Sequence, residues 1–166
     1  MTNPIVLVDL DAVADLSEWE SLAKKGTWHD FFAHIPDAVV RDNMALDVLE
    51  LAKADGCYVA YTCRWDIKYR REVMDWLIDN GFPSADLYMR VHADTPPAGV
   101  FFIHARAAAK KAKNRRPVIV ITGDAKLAEQ VSARGVSAVG IDTVPETVKG
   151  IRHALAAASK VPVAKD

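Results

Sequence analysis

The chain has 166 residues, 51% of them hydrophobic and 26% charged, the balance of a soluble globular protein with a core large enough to fold unaided. Its formal net charge of -1 gives no global field toward nucleic acid or membrane, so any nucleic-acid contact needs a local patch. Two cysteines, Cys57 and Cys63, are too few for a disulfide scaffold and lack zinc-finger spacing, which points to a reducing, cytoplasmic setting.

The opening MTNPIVLVDLD has no basic n-region and meets an aspartate within its first apolar run, so it reads as neither a signal peptide nor an anchor. No apolar stretch approaches the ~20 residues needed to span a bilayer. Pro4 to Val8 is a short continuous apolar run, as in a strand buried on both faces of a parallel sheet. Asp9 to Pro36 is rich in charge and aromatics, with Trp19, Trp28, Phe31 and Phe32 irregularly spaced. It reads as a small cap-like insertion over 12–36 with one or two short helices. Its aromatics suit core packing, or a platform for stacking bases.

Residues 41–55 carry an amphipathic pattern ending at Gly56, a helix with its stop. Tyr58 to Tyr61 is the second strand. The next helix is expected over 67–80, with Ile67, Val73, Met74, Leu77 and Ile78 facing inward and Gly81 ending it. Asp86 to Met89 is a short strand. Thr95-Pro96-Pro97 breaks the chain before an Ala- and Lys-rich helix from about Val100 to Lys113. Val118 to Ile121 is the clearest strand, followed by Thr122-Gly123-Asp124 and a helix to Arg134-Gly135. A strand over Ser137 to Ile141 and a helix over Glu146 to Ala158 follow, and 160–166 looks frayed. Strand and helix alternate, which implies an α/β fold: one Rossmann-like, doubly wound parallel sheet in a single domain, 1–166, with a small helical insertion after the first strand.

Such sheets bind ligands at the carboxyl ends of their strands. Three strands end informatively, in Asp9-Leu10-Asp11, in Thr62-Cys63-Arg64 and in Gly123-Asp124. One aspartate could attack phosphorus, and the other could pass a proton to the leaving oxygen. Asp124 could complete an oxygen-rich Mg2+ site with Asp9 and the backbone carbonyl of Asp11. Thr62 could hydrogen-bond a phosphoryl oxygen and Arg64 a second phosphate. The plainer readings are helix caps for Thr62 and Asp124, and surface ion pairs for Arg64 and Arg90.

IVLVDLDAV is similar to the strand-DxDx(T/V) opening of the haloacid dehalogenase superfamily, and VAYTCR to its second motif. TWHDFF, TCRWD, WLIDNGF and LYMR, in that order, resemble the phosphatase domain of phage and bacterial polynucleotide kinases. The resemblance covers about Ile5 to Val139. It implies a Mg2+-dependent phosphatase with Asp9 as nucleophile and Asp11 as acid/base. Thr62, Cys63, Arg64 and Arg90 would bind substrate, and Asp9, Asp11 and Asp124 would form the metal site. The implied substrate is a phosphomonoester, a nucleotide or the 3'-phosphate end of a nucleic acid. No P-loop of the form G-x-x-x-x-G-K-(S/T) occurs, so no kinase half is present in this chain.

The sequence also departs from that pattern. Ala12-Val13 replaces Gly-Thr, Gly123-Asp124-Ala125 replaces Asp-Asp-Arg, and Phe101 falls where the family carries a lysine. Either Lys110 or Lys111 reaches the site from the following helix, or catalysis is weakened. The alternative function is therefore a catalytically weakened relative that binds a nucleotide, nucleic acid or protein partner. Arg106, Lys110, Lys111, Lys113, Arg115 and Arg116 form a basic cluster, read as a solvated helix end or a backbone-phosphate patch. His29, His34, His92, His104 and His153 show no metal-ligand spacing and read as ordinary. Cys63 and Arg64 do not make the Cys-x-x-x-x-x-Arg loop of cysteine phosphatases, because position 69 is Tyr.

Overall fold

The computed structural model describes residues 3–92, 94–112 and 117–160. The first apolar run forms β1 (Ile5–Asp9), buried at every position. It lies between two parallel neighbours, β4 (Tyr58–Asp66) and β6 (Val118–Thr122). The edge strands are β5 (Asp86–Arg90) and β7 (Ser137–Gly140), also parallel, in the order β5-β4-β1-β6-β7. The chain winds outward from β1 through β4 to β5, then returns to the other side of β1. Strand order therefore reverses between β1 and β6, the place where open parallel sheets leave a crevice at their carboxyl ends.

Alternation along the strands sends successive side chains to opposite faces. Val6, Val8, Tyr61, Cys63, Ile119 and Ile121 pack on one face under α3 (Ala45–Ala54), α4 (Arg70–Asp79) and α7 (Val148–Ala158). Ile5, Leu7, Ala60, Val118 and Val120 pack on the other under α5 (Pro97–Lys111) and α6 (Ala125–Ala133). The expected doubly wound α/β sheet is thus present.

Details differ for physical reasons. Ile67 and Ile78 do not face inward; they are 42% and 62% exposed. Ile67 lies in a 3-10 turn before α4 begins. Ile78 sits ~100° around the helix from Leu77. The inward position belongs to Trp76, whose ring stacks on Phe82 and whose indole N–H donates to the Ala38 carbonyl at 3.0 Å. Helix α5 starts at Pro97 rather than near Val100, because proline at the first helical position forgoes an N–H that has no partner there anyway. Strand β4 runs to Asp66, well past the expected Tyr61.

The insertion contains the two short helices expected, α1 (Glu20–Lys24) and α2 (Trp28–Phe32). It is also closed at its root by an antiparallel ribbon, β2 (Ala14–Asp15) with β3 (Val39–Val40), so it extends a few residues beyond 36. Phe31 and Phe32 are buried against Trp65, and Phe32 against Tyr69, which seats the insertion on the end of β4. Lys113, Arg115, Arg116 and nearly all of the 160–166 tail lie outside the described residues.

Candidate functional site at the switch point

The register places Asp9 beside Thr62, and Val8 beside Ile121 puts Thr122 on the other flank of Asp9. Thr62, Asp9 and Thr122 therefore form a row at the carboxyl edge, on the α5 face. Each member of the row is buried, and Asp9 is 1% exposed. Thr122 Oγ1 donates to Asp9 Oδ2 at 2.8 Å, and the Asp11 N–H donates to Asp9 Oδ1 at 3.3 Å. Burial pushes the Asp9 carboxyl up to about 6; Arg64 and the Thr122 hydroxyl pull it down, the charge of Asp124 pushes it up, and Arg41 pulls it down.

Thr62 has a partner that the sequence did not reveal. Its hydroxyl lies 2.6 Å from His104 Nδ1, and His104 Nε2 lies 3.1 Å from the Met89 carbonyl. A carbonyl only accepts, so Nε2 carries the ring hydrogen, Nδ1 accepts, and Thr62 donates. Burial lowers the His104 pKa to about 4, so the ring is neutral near pH 7. His104, expected to be ordinary, is thus tied to the site. Thr62 lies within β4 rather than capping a helix, and its proton is directed at α5.

Beyond the row lies a cleft of ≈ 930 Å³, roofed by the insertion and floored by Asp11, Gly123 and Asp124. Arg41, Arg64, Lys68 and Arg90 line it together with Trp28, Phe32, Trp65 and Tyr69. Asp11 is ion-paired with Arg64, and its carbonyl accepts from Arg41 Nε at 2.7 Å. Asp124 caps α6, its Oδ1 accepting from the Leu127 N–H at 3.1 Å, and its own N–H donates to Thr122 Oγ1 at 3.2 Å. Gly123 passes so close to Asp11 that a Cβ there would lie 2.8 Å from the Asp11 carbonyl oxygen.

The edge thus brings Asp9, Asp11, Thr62, Arg64 and Asp124 together, with Arg90 on the cleft wall. Cys63 does not join them. It follows Thr62 in an extended strand, so it points to the opposite face, where it is buried and its thiol is pushed far up by burial. Phe101 is fully buried in the α5-side core. Lys111 does not reach the site either: it pairs with Asp86, the first residue of β5 and so at the opposite edge of the sheet. Arg41 and His104 carry no signal in the sequence that marks them as site residues, whereas Thr122 stands at a strand's carboxyl end, directly after an apolar run as Thr62 does.

The donor set suits Mg2+ in part. Asp9 and Asp124 repel each other across this edge, and Mg2+ commonly takes one or two carboxylates with water completing its shell. The Asp11 carboxylate is held by Arg64, and its carbonyl accepts from Arg41 through one of two lone pairs, which leaves the other open to a cation. Among the described residues no group of three or more His, Cys, Asp or Glu is positioned to hold a metal. Also among them, no helix is long and apolar enough to cross a membrane.

Comparisons with protein-family models, with curated proteins and with solved structures gave no match.

Proposed function

We propose that the chain is a phosphatase of the haloacid dehalogenase type, hydrolysing a phosphomonoester with Asp9 as nucleophile and Asp11 as acid/base. The observation that carries this reading is the convergence of Asp9, Asp11 and Asp124 at the strand-order reversal, beside a cleft lined by arginines. Asp9 and Asp124 would hold Mg2+. What the ion supplies when bound is positive charge between the carboxylates and the phosphoryl oxygens.

The chain's own residues divide the remaining work. Arg64 pairs with Asp11, and an entering phosphoryl group competes for that guanidinium. Its transfer to phosphate frees the Asp11 carboxylate to take a proton from solvent, give it to the leaving oxygen and later take one from the attacking water. Attack by Asp9 requires it to be uncovered from its present burial. The aromatic wall, with Trp28 52% exposed, suits the base of a nucleotide or of a nucleic-acid 3'-phosphate end. The two free cysteines fit a cytoplasmic setting.

A second reading is favoured by three observations: the committed Thr62 proton, the buried Phe101 and the sealed Asp9. On that reading the cleft binds a phosphorylated ligand without turning it over. A screen of mononucleotides and of 3'- and 5'-phosphorylated oligonucleotides, with and without Mg2+, separates the two. Mg2+-dependent phosphate release that Asp9→Asn abolishes supports the enzyme. Binding without release supports the second reading, and neither binding nor release contradicts both.

A further inference from the structure

A phosphoryl group entering this cleft needs hydrogen-bond donors and positive charge. Two expected sources do not supply them. Thr62 has one hydroxyl proton, and it goes to His104. Position 101 is an apolar side chain sealed in the core. Beyond what a bound ion would supply, the charge must come from residues on the cleft itself.

Arg41 is placed to provide it. It follows β3, where the insertion returns to the sheet. Its backbone N–H donates to the Val13 carbonyl at 2.9 Å, its Nε to the Asp11 carbonyl at 2.7 Å, and the Asn43 side chain to the Ala12 carbonyl at 2.7 Å. Three hydrogen bonds thus staple residues 41–43 onto the turn that follows Asp9. A guanidinium carries five N–H donors. Arg41 uses one on Asp11, and among the described residues its terminal nitrogens have only a loose 3.9 Å approach to Asp15. It lines the same cleft as Arg64, which engages the other end of Asp11.

We propose that Arg41 is a phosphate-binding residue, forming with Arg64 a two-guanidinium clamp that spans Asp11 and supplies the charge that position 101 does not. The proposal rests on the phosphomonoester reading of the site. The insertion then does more than roof the cleft, because its return strand also delivers a substrate contact.

The probe is inorganic phosphate, titrated calorimetrically into the 166-residue chain without and with Mg2+. Arg41→Gln keeps a donor for the Asp11 carbonyl but removes the charge and the fork, and should weaken phosphate binding about tenfold or more. Arg41→Lys keeps the charge without the fork and should fall between Arg41→Gln and the parent. In the unaltered protein, phosphate should slow phenylglyoxal labelling of Arg41, a readout that does not depend on any variant folding. Parent-like affinity in Arg41→Gln, or labelling indifferent to phosphate while phosphate binds, would make Arg41 an anchor only. The clamp is then overturned and the phosphomonoester reading stands. No phosphate binding by the parent chain removes that reading and the clamp with it.

Discussion

The same sheet edge carries two kinds of chemistry. On the α5 side, Thr62, Asp9, Thr122 and His104 are sealed, and each polar group is satisfied by another member or by backbone. On the open side, Asp11, Arg41, Arg64 and Asp124 line a cleft, held by ion pairs and caps that a ligand can compete for. The buried row fixes geometry and sets the proton affinity of Asp9. The open rim offers charge that can change partner. Treating the two as one interchangeable set of site residues hides that division.

Among the rim residues, the largest effect should come from Asp11, the proposed proton carrier. Asp11→Asn should slow phosphomonoester hydrolysis about 100- to 10,000-fold, measured as phosphate release under saturating substrate. A loss below that range would move Asp11 from chemistry to mere support of Arg64.

The buried row makes its own prediction through pH, measured by denaturation in chelator. Folding raises the Asp9 carboxyl from 3.8 to about 6. Between those values the folded state holds more protons than the unfolded one, so stability falls as pH rises, by about 3 kcal/mol in all. His104 is lowered from 6.5 to about 4, so its stability contribution falls as pH drops through that window. The two slopes oppose each other, and the parent should be nearly flat between pH 4 and 6.5. Asp9→Asn should leave a curve rising with pH, and at pH 7 should be more stable than the parent. His104→Gln should leave a curve that falls with pH. Parallel curves for all three proteins would show that the row is not coupled to folding in this way.

Gly123 joins the two regions, since it lets the β6–α6 turn pass against the Asp11 carbonyl. Gly123→Ala should cost about 1–3 kcal/mol by overpacking, visible as a lowered melting temperature. At the small end, Lys111→Ala should change activity less than about twofold, because its partner Asp86 is at the opposite sheet edge. A collapse of activity there would mean that the expected cation comes from α5 after all.

Much of this is legible in the sequence, for identifiable reasons. A parallel sheet collects the carboxyl ends of its strands, so the tails of three apolar runs place Asp9, Thr62 and Asp124 at one edge. Period two also implies that Cys63 turns away from Thr62, a consequence that is lost when the TCR run is taken as a block. His104 cannot be found by local pattern, because its partner is 42 residues away and the contact depends on how α5 packs. Arg41 lies 30 residues from Asp11 and arrives by a ribbon only two residues long on each side, too short for any periodic signal. Hydrophobicity alone assigns Ile78 inward, and Trp76 displaces it because its indole has a backbone acceptor.

The central claim, attack by Asp9 on phosphorus, is tested most directly by trapping the covalent intermediate. The chain is mixed with a reactive phosphomonoester and Mg2+, quenched in acid, digested and analysed by mass spectrometry. The expected result is a phosphoryl group on the peptide carrying Asp9, longer-lived in Asp11→Asn and absent in Asp9→Asn. Turnover with no label on that peptide in either the parent or Asp11→Asn, or with the label on another residue, would contradict it.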